Sequence, residues 1–384
     1  MYCKVTNEIP VSQSETIFFL KGGKTMKKKL LSLVLASTMV AGLLVGCGGN
    51  EAASSGDATS TASSGDTTST VSSGDATSTA SSGDATSTAS SGGTIKVGII
   101  NNDPNESGYR TANDKSMKEM FTAENGYEAS FAYSLKNDEQ IASAQKFIQD
   151  GVDYLLLSAA DTAGWDSVLK DAQAAGTKVI LFDRTIDADP SLYEASIVSD
   201  MAKEGETAVE WLKGQGLSEY NIIHIQGAMG SAAQIGRSQA LIDTAAAEGW
   251  TIVEQQTATW NAETAQQIVQ SVIDRGDKFN VIYAENDDMA KGAVAALDKA
   301  NISHGVGKDV IIMGYDCNKW ALEELLAGNW NYDGQCNPFQ ASYIDEIIKK
   351  LEAGETLSEK TIIMDEKGFD ATTITQEDVD TYGI

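Results

Sequence analysis

From Thr94 onward, short runs of aliphatic residues alternate with longer stretches whose apolar positions recur every three to four residues. The runs predict strands near 94–100, 128–134, 153–158, 178–183, 194–198, 221–226, 251–257, 280–285 and 309–315. The stretches predict helices near 108–125, 138–150, 165–176, 201–214, 232–249, 263–275, 288–301, 319–328 and 338–353. Ile141, Ala144, Phe147 and Ile148, for instance, share one helical face. Gly126, Gly151, Gly176, Gly249 and Gly276 stand where such stretches stop, as left-handed helix ends favour. Strands alternating with helices imply an α/β fold with parallel sheets covered on both faces.

Three of the apolar runs end in polar clusters. Val179 to Phe182 runs into Asp183-Arg184, Val281 to Ala284 into Glu285-Asn286-Asp287, and Val310 to Met313 into Gly314-Tyr315-Asp316. Ligands of open α/β sheets bind outside the carboxyl ends of the strands, so one polar pocket is expected. A carboxylate beside a guanidinium suits a polyol, accepting from hydroxyls while donating to neighbouring oxygens. Arg237, in the first turn of its helix, opposes the helix dipole and implies a carboxylate or ligand partner. Asn286 and Asp316 could equally cap helices; Asp287 is the better cap for the helix at 288, which frees Asn286. Tyr109, Trp165 and Trp260 fall at loop-to-helix junctions, where an aromatic either offers a sugar its flat face or packs in the core.

The chain before Thr94 has a different character. Lys27-Lys28-Lys29 precedes an uncharged apolar stretch, Leu30 to Val45, with the layout of a secretory signal and not of a membrane span. Leu44-Val45-Gly46-Cys47 matches the bacterial lipobox, which makes Cys47 the expected lipidation site and mature N-terminus. Residues 26–46 are then the signal. Lys21-Gly22-Gly23 back-translates to a ribosome-binding sequence just upstream of Met26, so translation is expected to begin there and residues 1–25 to be a mis-annotated upstream segment. N-terminal sequencing of the precursor tests this. From Ala53 a nine-residue Ser/Thr/Gly/Asp unit repeats with small changes until Gly93. It carries too little apolar surface to fold, and as a coil it would hold the globule roughly 35–40 Å from its anchor.

Composition narrows the partners. The net charge is −27, and the first 46 residues hold six of the Lys and two of the Glu, so the remainder is more acidic still. Such a chain repels nucleic acid. Four cysteines without a C-x-x-C spacing and only His224 and His304 make a zinc cluster improbable, and no cofactor is expected. Cys317 and Cys336 are read either as a disulfide or as two buried thiols. The phosphate-cradling, Walker A, zinc-protease and nucleophile-elbow motifs are all missing from the sequence. Gly227 to Ser231 reads as a tight strand–helix connection or an anion site.

From Thr94 to its C-terminus the chain resembles the type I periplasmic sugar-binding proteins of ABC transporters, the group related to ribose-binding protein and LacI-type repressors. The residues that carry the resemblance are Glu106-Ser107-Gly108-Tyr109-Arg110, Thr162-Ala163-Gly164-Trp165, Leu181 to Asp187 and Asn286-Asp287-Asp288-Met289. Galactofuranose-binding members are the most similar. The resemblance implies two Rossmann-like lobes, 94–198 with 337–364 and 199–336 with 365–384, joined by three crossings near Val198-Ser199, Gln335-Cys336 and Met364-Asp365. It also implies that Asp183, Arg184, Arg237, Asn286, Asp316 and Gln335 bind a monosaccharide, that Trp260 stacks on it, and that Glu106, Tyr109, Arg110 and Trp165 contribute.

The expected function is that of a monomeric, lipid-anchored binding protein on the outer face of the cytoplasmic membrane. It would serve an ABC permease and its ATPase. A sensory module signalling to a receptor kinase is the alternative. A glycosidase using Asp183 with Asp316 is disfavoured because adjacent arginines should keep both acids ionised, and the secretion signal and acidity exclude a DNA-binding repressor.

Overall fold

The computed structural model describes residues 93–384. Everything expected of the preceding segment, including the signal, Cys47 and the repeats, lies outside the described residues. The first half begins with β1 (Ile95–Asn101), α1 (Gly108–Met120), β2 (Tyr127–Tyr133) and α2 (Asn137–Asp150). It continues through β3 (Tyr154–Leu157), α3 (Asp166–Ala175), β4 (Lys178–Asp183) and β5 (Ala195–Val198). The chain then leaves this sheet for α4 (Met201–Gly214), β6 (Asn221–Gln226), α5 (Ala232–Glu248), β7 (Thr251–Thr257) and α6 (Ala262–Arg275). Next come β8 (Val281–Ala284), α7 (Asp287–Ala300), β9 (Ile311–Tyr315), α8 (Lys319–Leu326) and β10 (Tyr332–Gly334). It returns as α9 (Ala341–Glu352) and β11 (Thr361–Ile363), then crosses again to β12 (Gly368–Asp370) and α10 (Gln376–Tyr382).

Two six-stranded sheets result, in the orders β11-β5-β4-β3-β1-β2 and β12-β10-β9-β8-β6-β7. Every pairing is parallel except β10 with β12. This is the two-lobed α/β architecture of a type I periplasmic binding protein. The central strands β3, β4, β8 and β9 are buried along nearly their whole length, which explains their unbroken aliphatic runs. Val97, Leu156, Ile180, Phe182 and Ile344 pack together in one lobe, and Ile225, Val269, Ile282, Ala293 and Ile312 in the other.

The helix ends follow local chemistry. Gly151 closes α2 in the left-handed region, its N–H reaching the carbonyls of Phe147 and Ile148. The helix expected over 108–125 stops at Met120, and Thr122 caps a separate 3-10 turn, Ala123–Asn125. The helix expected from 338 starts only at Ala341, behind Pro338. Strands β10, β11 and β12 and helix α10 were not legible: three-residue strands are too short to show a period.

The chain passes between the sheets three times, after β5, after β10 and after β11. One carboxylate ties these passages together. Glu366 accepts from Ser199 Oγ at 2.7 Å and from the Asn337 N–H at 2.6 Å. Burial, reinforced by nearby Glu204, pushes Glu366 up to about 8. No described helix is long and apolar enough to cross a membrane.

Candidate functional site

The carboxyl ends of β4, β8 and β9 converge on a cavity of about 300 Å³ between the lobes. Glu106, Ser107, Tyr109, Asp183 and Arg184 line it from the first lobe. Met201, Ala233, Arg237, Trp260, Asn286 and Asp316 line it from the second, with Cys336 at the crossing. The lobes touch around it: the Gly108 N–H donates to Asp288 Oδ2 at 3.1 Å, and the Thr162 N–H to the Gly230 carbonyl at 3.1 Å.

Asp183 ends β4 with φ 66° and is 1 % exposed. Its carboxylate is well served with donors: Tyr109 Oη at 2.9 Å, Ser158 Oγ at 2.6 Å and Arg110 Nη2 at 2.7 Å. Arg184 Nε lies 3.5 Å away. Burial alone would raise its pKa, but Arg110, Arg184 and Ser158 outweigh burial and hold it below the ordinary value. Arg110 therefore stands behind the cavity wall and positions Asp183, braced in turn by Asn101 Oδ1 at 2.7 Å. Glu106 is raised, chiefly by burial, with Arg184 and Arg110 opposing.

The second lobe repeats the theme with fewer donors. Arg237 sits in the second turn of α5, not the first, so the dipole argument was weaker than its spacing suggested. It does find carboxylates: Nε donates to Glu204 Oε2 at 2.6 Å and Nη2 to Asp316 Oδ1 at 3.5 Å. Nη1 donates to the Glu285 carbonyl. Sharing one guanidinium between two acids leaves each underserved. Burial pushes Asp316 well above the carboxylate range; Arg237 offsets only part, and Asp287 and Glu204 add to the rise. The expectation that neighbouring arginines keep both aspartates ionised thus holds for Asp183 and fails for Asp316.

Asn286 is the N-cap of α7, its side chain accepting from the Met289 N–H at 2.9 Å, while Asp287 is the first helical residue. The assignment of the cap to Asp287 is corrected: Asp287 is engaged elsewhere, by Asn318. Asn286 still lines the cavity, with its amide NH₂ uncommitted to the cap. Trp260 adopts φ 66° and lies over Gly227, where a Cβ would stand 1.9 Å from the ring. Gly227 to Ser231 is accordingly a tight connection whose glycine admits an indole; Ser231 caps α5. Arg184 stacks over the Trp260 ring at 5.8 Å.

Three of the expected residues do not line the cavity: Arg110 stands behind its wall, and Trp165 and Gln335 lie elsewhere. The Trp165 ring is fully buried in the first lobe's core with Leu157, Val168 and Leu181, its N–H bonded to the Asp161 carbonyl. Gln335 lines a different cavity, beside Glu366 at the crossings. Cys317 and Cys336 are both buried free thiols, which decides against the disulfide. Sequence reading missed Glu204. Its signal was a charge among Met201, Gly205, Ala208, Val209 and Leu212, the buried face of α4.

Arg184 Nε and Trp260 Nε1 are buried without a hydrogen-bond partner. Unmet buried donors are costly, so a polar ligand suits this cavity better than an apolar one.

The model for a periplasmic binding protein domain matches residues 97–352. The chain belongs to this family. It is 30 % identical over 283 residues to the fructose import binding protein FruE of Bifidobacterium longum, covering 72 % of this chain and 84 % of the relative. It is 28 % identical to the galactofuranose-binding protein YtfQ of Escherichia coli, covering 59 % and 72 %. A solved relative is the binding-protein component of the arabinose ABC transporter of Shewanella sp. ANA-3, bound to α- and β-L-arabinofuranose. It shares 27 % identity at a TM-score of 0.67, covering 73 % of this chain and 93 % of that one.

Proposed function

We propose that this periplasmic binding protein captures one monosaccharide between its lobes and presents it to an ABC permease driven by its ATPase. The observation that carries the reading is the pocket between the lobes, which both lobes line with acid, guanidinium, amide and indole groups. A ligand touching both walls favours the closed arrangement and shifts the population toward it.

The named ligands of two of the relatives, galactofuranose and arabinofuranose, support a furanose ring as the bound form. In this reading Asp183 and Arg184 take neighbouring hydroxyls on one side of the ring, Arg237, Asn286 and Asp316 those on the other, and Trp260 covers a face. Glu106 and Tyr109 complete the wall. The signal-like segment and Cys47 support export and a lipid anchor outside the cytoplasmic membrane, with the protein acting as a monomer.

The test is a thermal-shift screen of the protein against L-arabinose, D-galactose, D-fructose and D-ribose. A ligand at a hundred times its dissociation constant adds about 2.7 kcal/mol of stability. Absence of any shift with the whole panel would overturn the reading. Turnover of nitrophenyl furanosides by the same sample would replace it with a glycosidase, for which the raised pKa of Asp316 would then supply the acid.

A further inference from the structure

Two carboxylates that the sugar reading does not use hold the loop carrying Asp316. Asp287 Oδ2 accepts from the Asn318 N–H at 2.8 Å and from Asn318 Nδ2 at 3.0 Å. Asp333, in the middle of β10, accepts through Oδ1 from the Cys317 N–H at 3.3 Å and from its thiol at 3.8 Å. Both aspartates are 0 % exposed. Their remaining oxygens, Asp287 Oδ1 and Asp333 Oδ2, have no donor.

Sheet register brings these two side chains together. Asp333 pairs with Gly314 of β9, so the two positions face the same side of the sheet. A Cβ on Gly314 would stand 2.5 Å from Asp287 Oδ1. The missing side chain at Gly314 is therefore the space into which the Asp287 carboxyl reaches, beside Asp333. Among the described residues no Lys, Arg or His pairs with either acid. The titratable groups facing them are Asp316 and the Cys317 thiol from the loop between β9 and α8. The loop needs holding, since Asp316 (φ 105°) and Cys317 (φ 59°) both sit at left-handed angles that non-glycine residues avoid.

We propose that Asp287 and Asp333 share one proton, and that this acid–carboxylate bridge positions the Asp316–Cys317–Asn318 loop and with it the sugar-facing Asp316. Two ionised carboxylates cannot sit in contact away from water, whereas one proton turns their repulsion into a short charge-assisted bond and satisfies both orphan oxygens. The direction of titration agrees. Burial, then the Asp333 charge, pushes Asp287 well above the carboxylate range, and burial pushes Asp333 up to about 8. As pH rises through the upper of the pair's two titrations the last proton leaves, the two charges repel, and the loop loosens. Asp287 and Asp333 are positioning residues.

The inference rests on Asp316 facing the sugar, so its test includes a measurement without ligand. In ligand-free protein with ¹³C-labelled Asp, carboxyl carbons are followed from about pH 3 to about pH 10, with Asp288→Asn and Asp316→Asn removing the other two raised aspartates. An Asp carboxyl still titrating near or above neutrality is expected; if every remaining one titrates below about pH 6, the shared proton is refuted. Affinity for the best sugar of the screen is then measured at about pH 7 and about pH 9.5. The wild type is expected to lose roughly tenfold. Asp333→Asn, whose amide supplies the bridging hydrogen permanently, should keep the neutral affinity and abolish the alkaline loss. An alkaline loss equal to that of the wild type would overturn the positioning role. If no sugar binds at any pH while the carboxyl titration stands, the functional reading has failed and the bridge has not.

Discussion

The two walls of the cavity carry the same pair of side chains in opposite electrostatic states. On the first lobe Asp183 is well served by Arg110, Ser158 and Tyr109 and held below its ordinary pKa. On the second, Asp316 shares Arg237 with Glu204 and is pushed well above it. The difference lies in the ratio of donors to acids, not in burial, since both are at least 95 % buried. The better-served carboxylate presents a fixed charge and keeps an accepting position on Oδ1, which carries one donor, for the ligand. An underserved one has unspent accepting capacity that sugar hydroxyls can fill.

The comparison is tested first by removing each acid. Asp183→Ala removes the nearest carboxylate from the buried Arg110 guanidinium and leaves it only Glu106 at 3.7 Å, so denaturant unfolding should show a loss of about 3 kcal/mol together with lost sugar binding. Trp165→Leu should cost about 2 kcal/mol of stability through its core cavity and leave affinity in calorimetry unchanged, because its ring never reaches the ligand. Asp316→Asn separates the roles the other way. Affinity should drop at least about tenfold, or 1.4 kcal/mol, while stability stays within about 1 kcal/mol of wild type because a carboxyl already pushed toward its neutral form is replaced by a neutral amide. Equal stability losses for the Asp183 and Asp316 variants would erase the distinction between the walls.

The subtlest expectation is protonic. Hydroxyls donate more strongly to an ionised carboxylate than to a neutral carboxyl, so binding should draw the raised pKa of Asp316 down and release a proton. In Asp333→Asn, where the alkaline loosening of the loop is removed, affinity should then rise with pH until the ligand-free pKa of Asp316 is passed. Asp183, already ionised, adds nothing to this slope. Calorimetry in buffers of different ionisation heat measures the released proton, and Asp316→Asn should abolish it.

The alternation of strands and helices was legible because central strands buried on both faces must be aliphatic and helices show their period over three or more turns. Asp183, Arg184, Asn286 and Asp316 were legible because strand ends are where such sheets bind ligands. Other parts were not. Trp165 and Trp260 both stand at helix entrances, and only the packing of Trp165 against Leu157 and Leu181 tells core from cavity. Asp333 lies in Asn331 to Gly334, which reads as a turn, and its strand exists only through pairing with β9 and β12. Asn286 and Asp287 are adjacent and both can cap, so sequence could not say that Asn318 would claim Asp287. Long-range partners decided each case.

The contacts of Gly108 with Asp288 and of Thr162 with Gly230 join the two lobes, and this sets a clock as well as a shape. A molecule held inside can depart no faster than the halves swing apart, so residence time is governed at the rim and occupancy by the walls. A Cβ at position 108 would meet Asn318 Oδ1 at 1.7 Å. Gly108→Ala should therefore shorten the stay of any bound sugar.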